Sequence, residues 1–375
     1  MKIDATKAWQ ETVKNRNHRW YSDIERFRLP YIRLEHKPKF TLDINNSFFC
    51  IGSCFARNIE EHLLYRDIKV LSKRVIAPKN ESPMRPNGFL NKFTTPSMVN
   101  EIEATLGIID LDQGLICGEN GWVDPQLAPG IAAVSEERAR SRRGYISQDY
   151  FARISDASVI ILTLGLIETW FDSIGGIYWN TAPSLWDTRR YPGRFFFERR
   201  GFVETLNDLE RLKSLIKELS PDAKIIVTVS PVPLTTTFSG EDIVVANSYS
   251  KSVLRAASQI FSEKYADVDY FPSYEFVTWS PRDASFSSVD FAHVNDRLVG
   301  LIMEEFIKSY LGISCSDATQ FNELLYLHAN PDVEDEVRSG ALESGFSHWK
   351  EIGFKIGRPL RPPILPDWAV MAGIT

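Results

Sequence analysis

Ser53 lies in Phe48-Phe49-Cys50-Ile51-Gly52-Ser53-Cys54-Phe55-Ala56-Arg57, and His293 follows Asp290 by three residues; these are the side chains whose types and spacing could do chemistry together. A hydroxyl is a poor nucleophile until a base takes its proton, and the base needs a third group to fix its tautomer. Asp290-Phe291-Ala292-His293 supplies base and fixing acid within four residues, since in a turn a carboxylate can reach the histidine three positions on. The chemistry would be acyl transfer through Ser53. Two plainer readings stand beside it: a serine at such a turn is often a helix cap, and Asp-x-x-His taken alone is a common string.

The elements around these residues decide whether they can meet. Ser47 to Ile51 is a short apolar run suited to a buried strand, broken by Gly52-Ser53, and Phe55, Ile59 and Leu63 then recur at helical spacing. Ser53 therefore sits on a strand-to-helix turn, where the helix dipole favours developing negative charge. Ile68–Leu71 reads as a second short strand, 83–88 as loop and Ser97 to Leu106 as a helix. The region 110–145 is weakly patterned, and its charged run Glu136 to Arg143 reads as a solvated face. Val159–Leu164 and Lys224–Val229 are continuous runs of buried-strand type; 206–219, 247–265 and 294–306 have helical period, and Val268–Phe271 suits a last strand.

Strands alternating with helices imply βαβ units and a parallel sheet covered by helices on both faces, an α/β fold. Sites in such sheets form beyond the carboxyl ends of the strands. Ser53, Gly165 to Trp170, Ser230-Pro231 and the loop after Phe271 all fall on that edge.

Composition narrows the function classes. Of 375 residues 43% are hydrophobic and 25% charged, as in an ordinary globular protein, and a net charge of −6 disfavours nucleic acid as partner. Cys50, Cys54, Cys117 and Cys315 show neither metal-type nor extracellular spacing, so reduced thiols in the cytoplasm are expected. The first residues lack a signal-peptide pattern and no run approaches ~18 apolar residues, so no membrane span is expected. Neither a metal site nor a nucleotide loop is visible, and no cofactor is expected.

Ile51-Gly52-Ser53-Cys54-Phe55-Ala56 resembles the signature of the GSCFA family within the SGNH (GDSL-like) hydrolase superfamily. The likeness continues through 162–170, 229–233, 247–252, 270–275 and 290–293, covering about residues 18 to 310. It implies a three-layer α/β/α sandwich with a mostly parallel, flavodoxin-like sheet, in which Ser53 is nucleophile, His293 general base and Asp290 the orienting acid. It also implies an oxyanion hole built from the nucleophile's own N–H, a glycine N–H and an asparagine in a Gly-x-Asn-Asp block. Here that block reads Gly165-Leu166-Ile167-Glu168, so the asparagine is missing. Asn180 or Asn91 is the expected substitute and Gly88 the expected glycine, with Cys54 and Gly165 as further oxyanion or substrate candidates. Glu168 either orients a neighbour or substrate hydroxyl, or serves as a cap or arginine partner.

The tail is a separate matter. Leu325 to Val333, with Gly340, His348-Trp349, Gly353 and Gly357-Arg358, resembles a YLxxNPDV…GR module that accompanies bacterial glycosyltransferases and polysaccharide-related proteins. His328 and His348 read as packing or surface groups rather than metal ligands. The expected organisation is an irregular arm over 1–45 lying on the main domain, a catalytic domain over 46–312, a small helical module over 318–363 with a protein or glycan contact role, and a tail over 364–375. The expected function is a serine acyl-ester hydrolase, an esterase or deacetylase acting on an acylated glycan, glycoconjugate or small ester. The alternatives are an O-acyltransferase with a sugar acceptor and an inactive glycan-binding module.

Overall fold

The computed structural model describes residues 2–15, 17–73, 77–82, 88–288, 290–313, 321–354, 356, 358–366 and 369. Its strands are β1 (Phe48–Gly52), β2 (Ile116–Gly118), β3 (Gly121–Val123), β4 (Val159–Leu164), β5 (Glu168–Asp172), β6 (Ile177–Trp179), β7 (Phe195–Arg199), β8 (Lys224–Val229) and β9 (Val268–Tyr270). The helices used below are α1 (Ala5–Lys14), α2 (Cys54–Leu64), α3 (Thr95–Thr105), α4 (Glu136–Tyr145), α5 (Leu185–Arg190), α6 (Phe202–Leu219), α7 (Ile243–Lys264), α8 (Ser273–Thr278), α9 (Arg282–Ser285), α10 (Asp296–Leu311), α11 (Glu323–Ala329) and α12 (Pro331–Ser339).

β1, β4, β8 and β9 form a parallel sheet in that order. Every residue of β1 and β4 is buried, as strands covered on both faces must be. Phe49, Ile51, Ile160, Leu162 and Leu164 pack into one layer with Met98 of α3, Leu212 of α6 and Leu254 of α7. Phe48, Cys50, Val159 and Ile161 pack into the other with Phe55 and Ile59 of α2 and Leu298 and Ile302 of α10. The result is the expected three-layer α/β/α sandwich.

The second strand expected at 68–71 contracts to a single parallel bridge between Val70 and Phe48. With that bridge counted the order is 2-1-3-4-5, that of flavodoxin-like sheets. Side chains complete the edge of β1 instead. Phe48 N–H donates to Lys69 O at 2.9 Å and Cys50 N–H to Ser72 Oγ at 3.0 Å. Ser72 donates to Glu60, which pairs at 2.8 Å with Arg57, and Arg57 donates back to Cys50 O at 3.0 Å.

Two further departures have physical reasons. The charged run at 136–143 is only in part a solvated face: Glu136, Glu137 and Arg140 of α4 are exposed, but Arg142 and Arg143 are buried, because Glu81 and the Glu101–Asp124 pair neutralise them. A small antiparallel sheet, β6-β5-β7, follows directly after Gly165 where only an edge loop was expected, its aromatic residues pairing across strands.

Within 1–45, α1 buries none of its residues, whereas the stretch after Tyr31 runs along α10. There His36 meets Asp269 and Tyr310 at 3.2 and 3.0 Å, and Leu42 N–H donates to Tyr310 O. At the other end, α11 and α12 close a small cluster of Phe321, Tyr326, Val333, Val337 and Phe346 upon Tyr65 at the end of α2. The expected loop at 83–87, Cys315, Gly357, residues 318–320 and most of 364–375 lie outside the described residues. Among the described residues, no helix is long and apolar enough to cross a membrane.

Candidate functional site

Ser53 stands where β1 gives way to α2, and Gly52 makes the turn possible. Gly52 has φ +151°, and a Cβ there would collide with the carbonyl and side chain of Thr163 on the neighbouring strand. Ser53 is the N-cap of α2 by backbone geometry, yet its side chain makes no capping bond. Its Oγ is buried and has no hydrogen-bond partner among the described residues. A buried hydroxyl left unbonded costs ~1–3 kcal/mol, so this arrangement is unfavourable unless another group engages it.

Asp290 and His293 occupy the turn just before α10. The Asp290 carboxylate accepts from Ala292 N–H at 2.9 Å and His293 N–H at 3.1 Å, and its second oxygen is hydrogen-bonded to His293 Nδ1. Phe291, between them, has φ +50°, a left-handed conformation that tightens the turn. Partial burial pushes the Asp290 carboxyl up, but the His293 ring and the two N–H groups outweigh it and hold the carboxyl below its usual range. With Nδ1 taken, Nε2 is the nitrogen left to exchange a proton. The His293 side chain is 58% exposed and does not touch the buried Ser53 Oγ. Both groups lie on one side of the sheet: Phe55 and Ala56 after the serine share a core with Phe286 and Val294, which flank the turn.

The other expected residues divide clearly. Asn180 is no free donor: its Nδ2 donates to Asn91 O at 2.8 Å and Leu127 O at 3.3 Å, and its Oδ1 accepts from Phe93 N–H and Ser97 Oγ. Glu168 accepts from Thr237 Oγ1 at 2.5 Å and Phe238 N–H at 2.9 Å, which makes it the anchor of that loop; its partners are neither an arginine nor an open hydroxyl site. Ser53 N–H, the donor implied for the nucleophile itself, goes to Thr163 O at 3.2 Å. Asn91 remains: its Oδ1 is buried without a partner, and the next residue, Lys92, donates its N–H to Gly52 O at 2.8 Å, which sets the loop against the serine turn. Gly88, half-buried, gives its carbonyl to Asn91 N–H. Gly165 closes β4 so tightly that a Cβ would lie 2.8 Å from Phe93 O.

A buried charge network holds this loop. Lys92 bonds to Glu101 and to Gln126 O, and Arg143 pairs with Glu101 at 2.6 Å and Asp124 at 3.2 Å. Burial, the largest influence on Lys92, lowers its pKa. Cys54 is half-buried, whereas burial pushes the Cys50 thiol far above its ordinary range.

One residue went unnoticed as a site group. Lys251 of α7 is fully buried and donates to Gly165 O at 2.8 Å and Val232 O at 2.7 Å, at the carboxyl edge of the sheet. Its signal was in plain view: a lysine on the apolar side of an amphipathic helix, two residues before Val253 and three before Leu254.

Comparison with known proteins adds the following. No curated protein matches the chain. A GDSL-like lipase structure from Parabacteroides merdae is 15% identical, covering 73% of this chain and 99% of that one, with TM-score 0.31. A carbohydrate esterase family 3 structure from Talaromyces cellulolyticus is 10% identical over 70% and 94%, with TM-score 0.27. A family two carbohydrate esterase from Clostridium thermocellum, in complex with cellohexaose, is 14% identical over 72% and 66%, also at 0.27. The GSCFA family itself matches residues 47–306, which span both the Ser53 turn and the Asp290–His293 turn, and the chain belongs to the GSCFA family.

Proposed function

We propose that this protein is an SGNH-type serine hydrolase that cleaves acyl esters through an acyl-enzyme at Ser53, with a glycan-borne ester as substrate. The observation that carries the reading is the Asp290–His293 pair, with the carboxylate fixed by two N–H groups and Nδ1 engaged, on the same side of the sheet as a serine whose hydroxyl is neither capping nor bonded. Ser53 Oγ adds to the ester carbonyl while His293 Nε2 takes its proton; the alcohol then leaves with that proton. Water, deprotonated in turn by His293, adds to the acyl-serine and releases the acid. The described cysteines form no disulfide, which suits a reducing cytoplasm.

The purified protein is expected to turn over a short-chain aryl acetate, and Ser53→Ala to abolish it. Equal turnover by the variant rules the serine mechanism out. Mass spectrometry of an incubation with acyl donor and oligosaccharide decides the acceptor: acylated sugar marks transfer, free acid alone marks hydrolysis.

A further inference from the structure

The oxyanion site of this chain is short of donors. Ser53 N–H is turned to Thr163 O, Asn180 is occupied with loop carbonyls, and Ile167 stands where the missing asparagine would be. Yet a tetrahedral adduct at Ser53 places a full negative charge near this edge, and a fixed donor or charge there is worth ~10²–10³ in rate.

Lys251 is placed to answer it. Its ammonium has three hydrogens; two go to Gly165 O and Val232 O, and no further partner for the third is found among the described residues. Gly165 follows β4, whose Thr163 is the register partner of Gly52, so the Gly165 carbonyl lies one step beyond the serine turn on the adjacent strand. The one ionisable group acting on Lys251 is Cys54, the residue after Ser53, and no carboxylate among the described residues compensates it. A buried, uncompensated ammonium is costly, and the residue whose charge it senses, Cys54, opens α2, whose positive dipole end lies at the serine turn.

We propose that Lys251 is the charged member of the oxyanion site, its ammonium facing the oxygen that becomes negative when Ser53 adds to a carbonyl. In that step the Oγ–C bond forms, the carbonyl π pair moves onto oxygen, and the serine proton goes to His293. On collapse the pair returns, the C–O bond to the alcohol breaks, and the alcohol leaves with the proton from His293. Lys251 keeps its hydrogens throughout. This rests on the reading of Ser53 as nucleophile.

Burial lowers Lys251 to about 7, Cys54 opposing the shift. The other ionisable groups of this edge are accounted for: Glu168 is bound to Thr237 and Phe238, and Asp290 to His293. The acylation rate should therefore fall as pH rises through about 7, opposite to the limb expected of a histidine base, which must be neutral to act.

The test uses an alkyl fluorophosphonate, whose adduct carries a tetrahedral, oxygen-rich phosphorus, on the full chain. Labelling of the wild type but not of Ser53→Ala establishes the nucleophile; without it the proposed function fails, whatever Lys251 does. Given labelling, Lys251→Met is expected to slow second-order inactivation by ~10²-fold, with Lys251→Arg recovering much of the rate. Equal rates in wild type and Lys251→Met overturn the proposal. If Lys251→Met does not fold, Lys251→Gln read against Lys251→Arg decides, and equal inactivation rates in those two variants overturn it. Iodoacetamide alkylation of Cys54 supplies the competing outcome. Should Lys251→Met slow alkylation while fluorophosphonate labelling is unchanged, the ammonium serves the thiol and the proposal is wrong.

Discussion

At the scale of single residues, the proposed site is a contrast between the buried Ser53 hydroxyl and the exposed His293 ring. Ser53 Oγ is inaccessible and unbonded, while His293 sits in solvent with its orientation set by Asp290. Asp290 therefore matters through the ring it holds. Asp290→Asn should lower kcat by on the order of 10³–10⁴ while the protein stays folded, and a loss below tenfold would remove Asp290 from the mechanism. The sign of its pH effect follows from its depressed pKa. The favourable interaction with His293 is fully present above the ordinary carboxylate range and is lost only as pH falls through the lowered folded value. Hydrogen exchange at Ala292 and His293 is expected to stay slow at mildly acidic pH and to accelerate only below the usual aspartate range.

At the scale of elements, the loop carrying Asn91 is fixed from beneath by buried charges as well as by the packing of Phe89 and Leu90 into the core. Glu101 of α3 is shared by Lys92 and Arg143, all three being almost completely buried. Glu101→Gln leaves two buried cations facing Asp124 alone and should cost ~3–5 kcal/mol in urea unfolding. A loss under about 1 kcal/mol would show that water reaches the network. This is also where the sequence was hardest to read. The strands and long helices were legible because their apolar residues recur with a period of one element: Val159–Leu164 and Leu206–Leu219 announce themselves without reference to any partner. The Asp290–His293 contact was legible for the same reason, being local. Asn180 and Glu168 were not, since whether a polar side chain is available depends on which carbonyls and N–H groups other segments bring to it; Asn180 meets Asn91, 89 positions away. Arg143 looked like solvated surface because its carboxylates come from α3 and the turn after β3. Lys251 was legible as a lapse in the apolar side of α7, but its carbonyl partners Gly165 and Val232, 86 and 19 positions away, were not.

At the scale of the whole molecule, the small C-terminal module is fastened to the main domain. Tyr65, just after α2, packs its ring 5.3 Å from that of Phe321 and 5.0 Å from that of Phe346, and its hydroxyl accepts from Glu323 N–H at 3.0 Å. Arg338 donates to Ser82 O at 2.7 Å, and Lys350 pairs with Asp67. The motif residues of the module act internally. Asn330 ties Tyr326 O to Pro359 O, and Asp332 receives Arg358 in a two-point pair. Tyr65→Ala should cost ~3–5 kcal/mol and make the module a preferred target of limited proteolysis. A wild-type digestion pattern would mean that the polar links alone suffice. The same fastening gives α2 two jobs. Its 11 residues, ~16 Å of rigid rod, carry the Ser53 turn at one end and the module's anchor at the other. Lesions in the module would then register in a genetic screen as lost activity, and a map of inactivating substitutions would show two separate clusters, one at the chemistry and one at the far end of the helix that aims it.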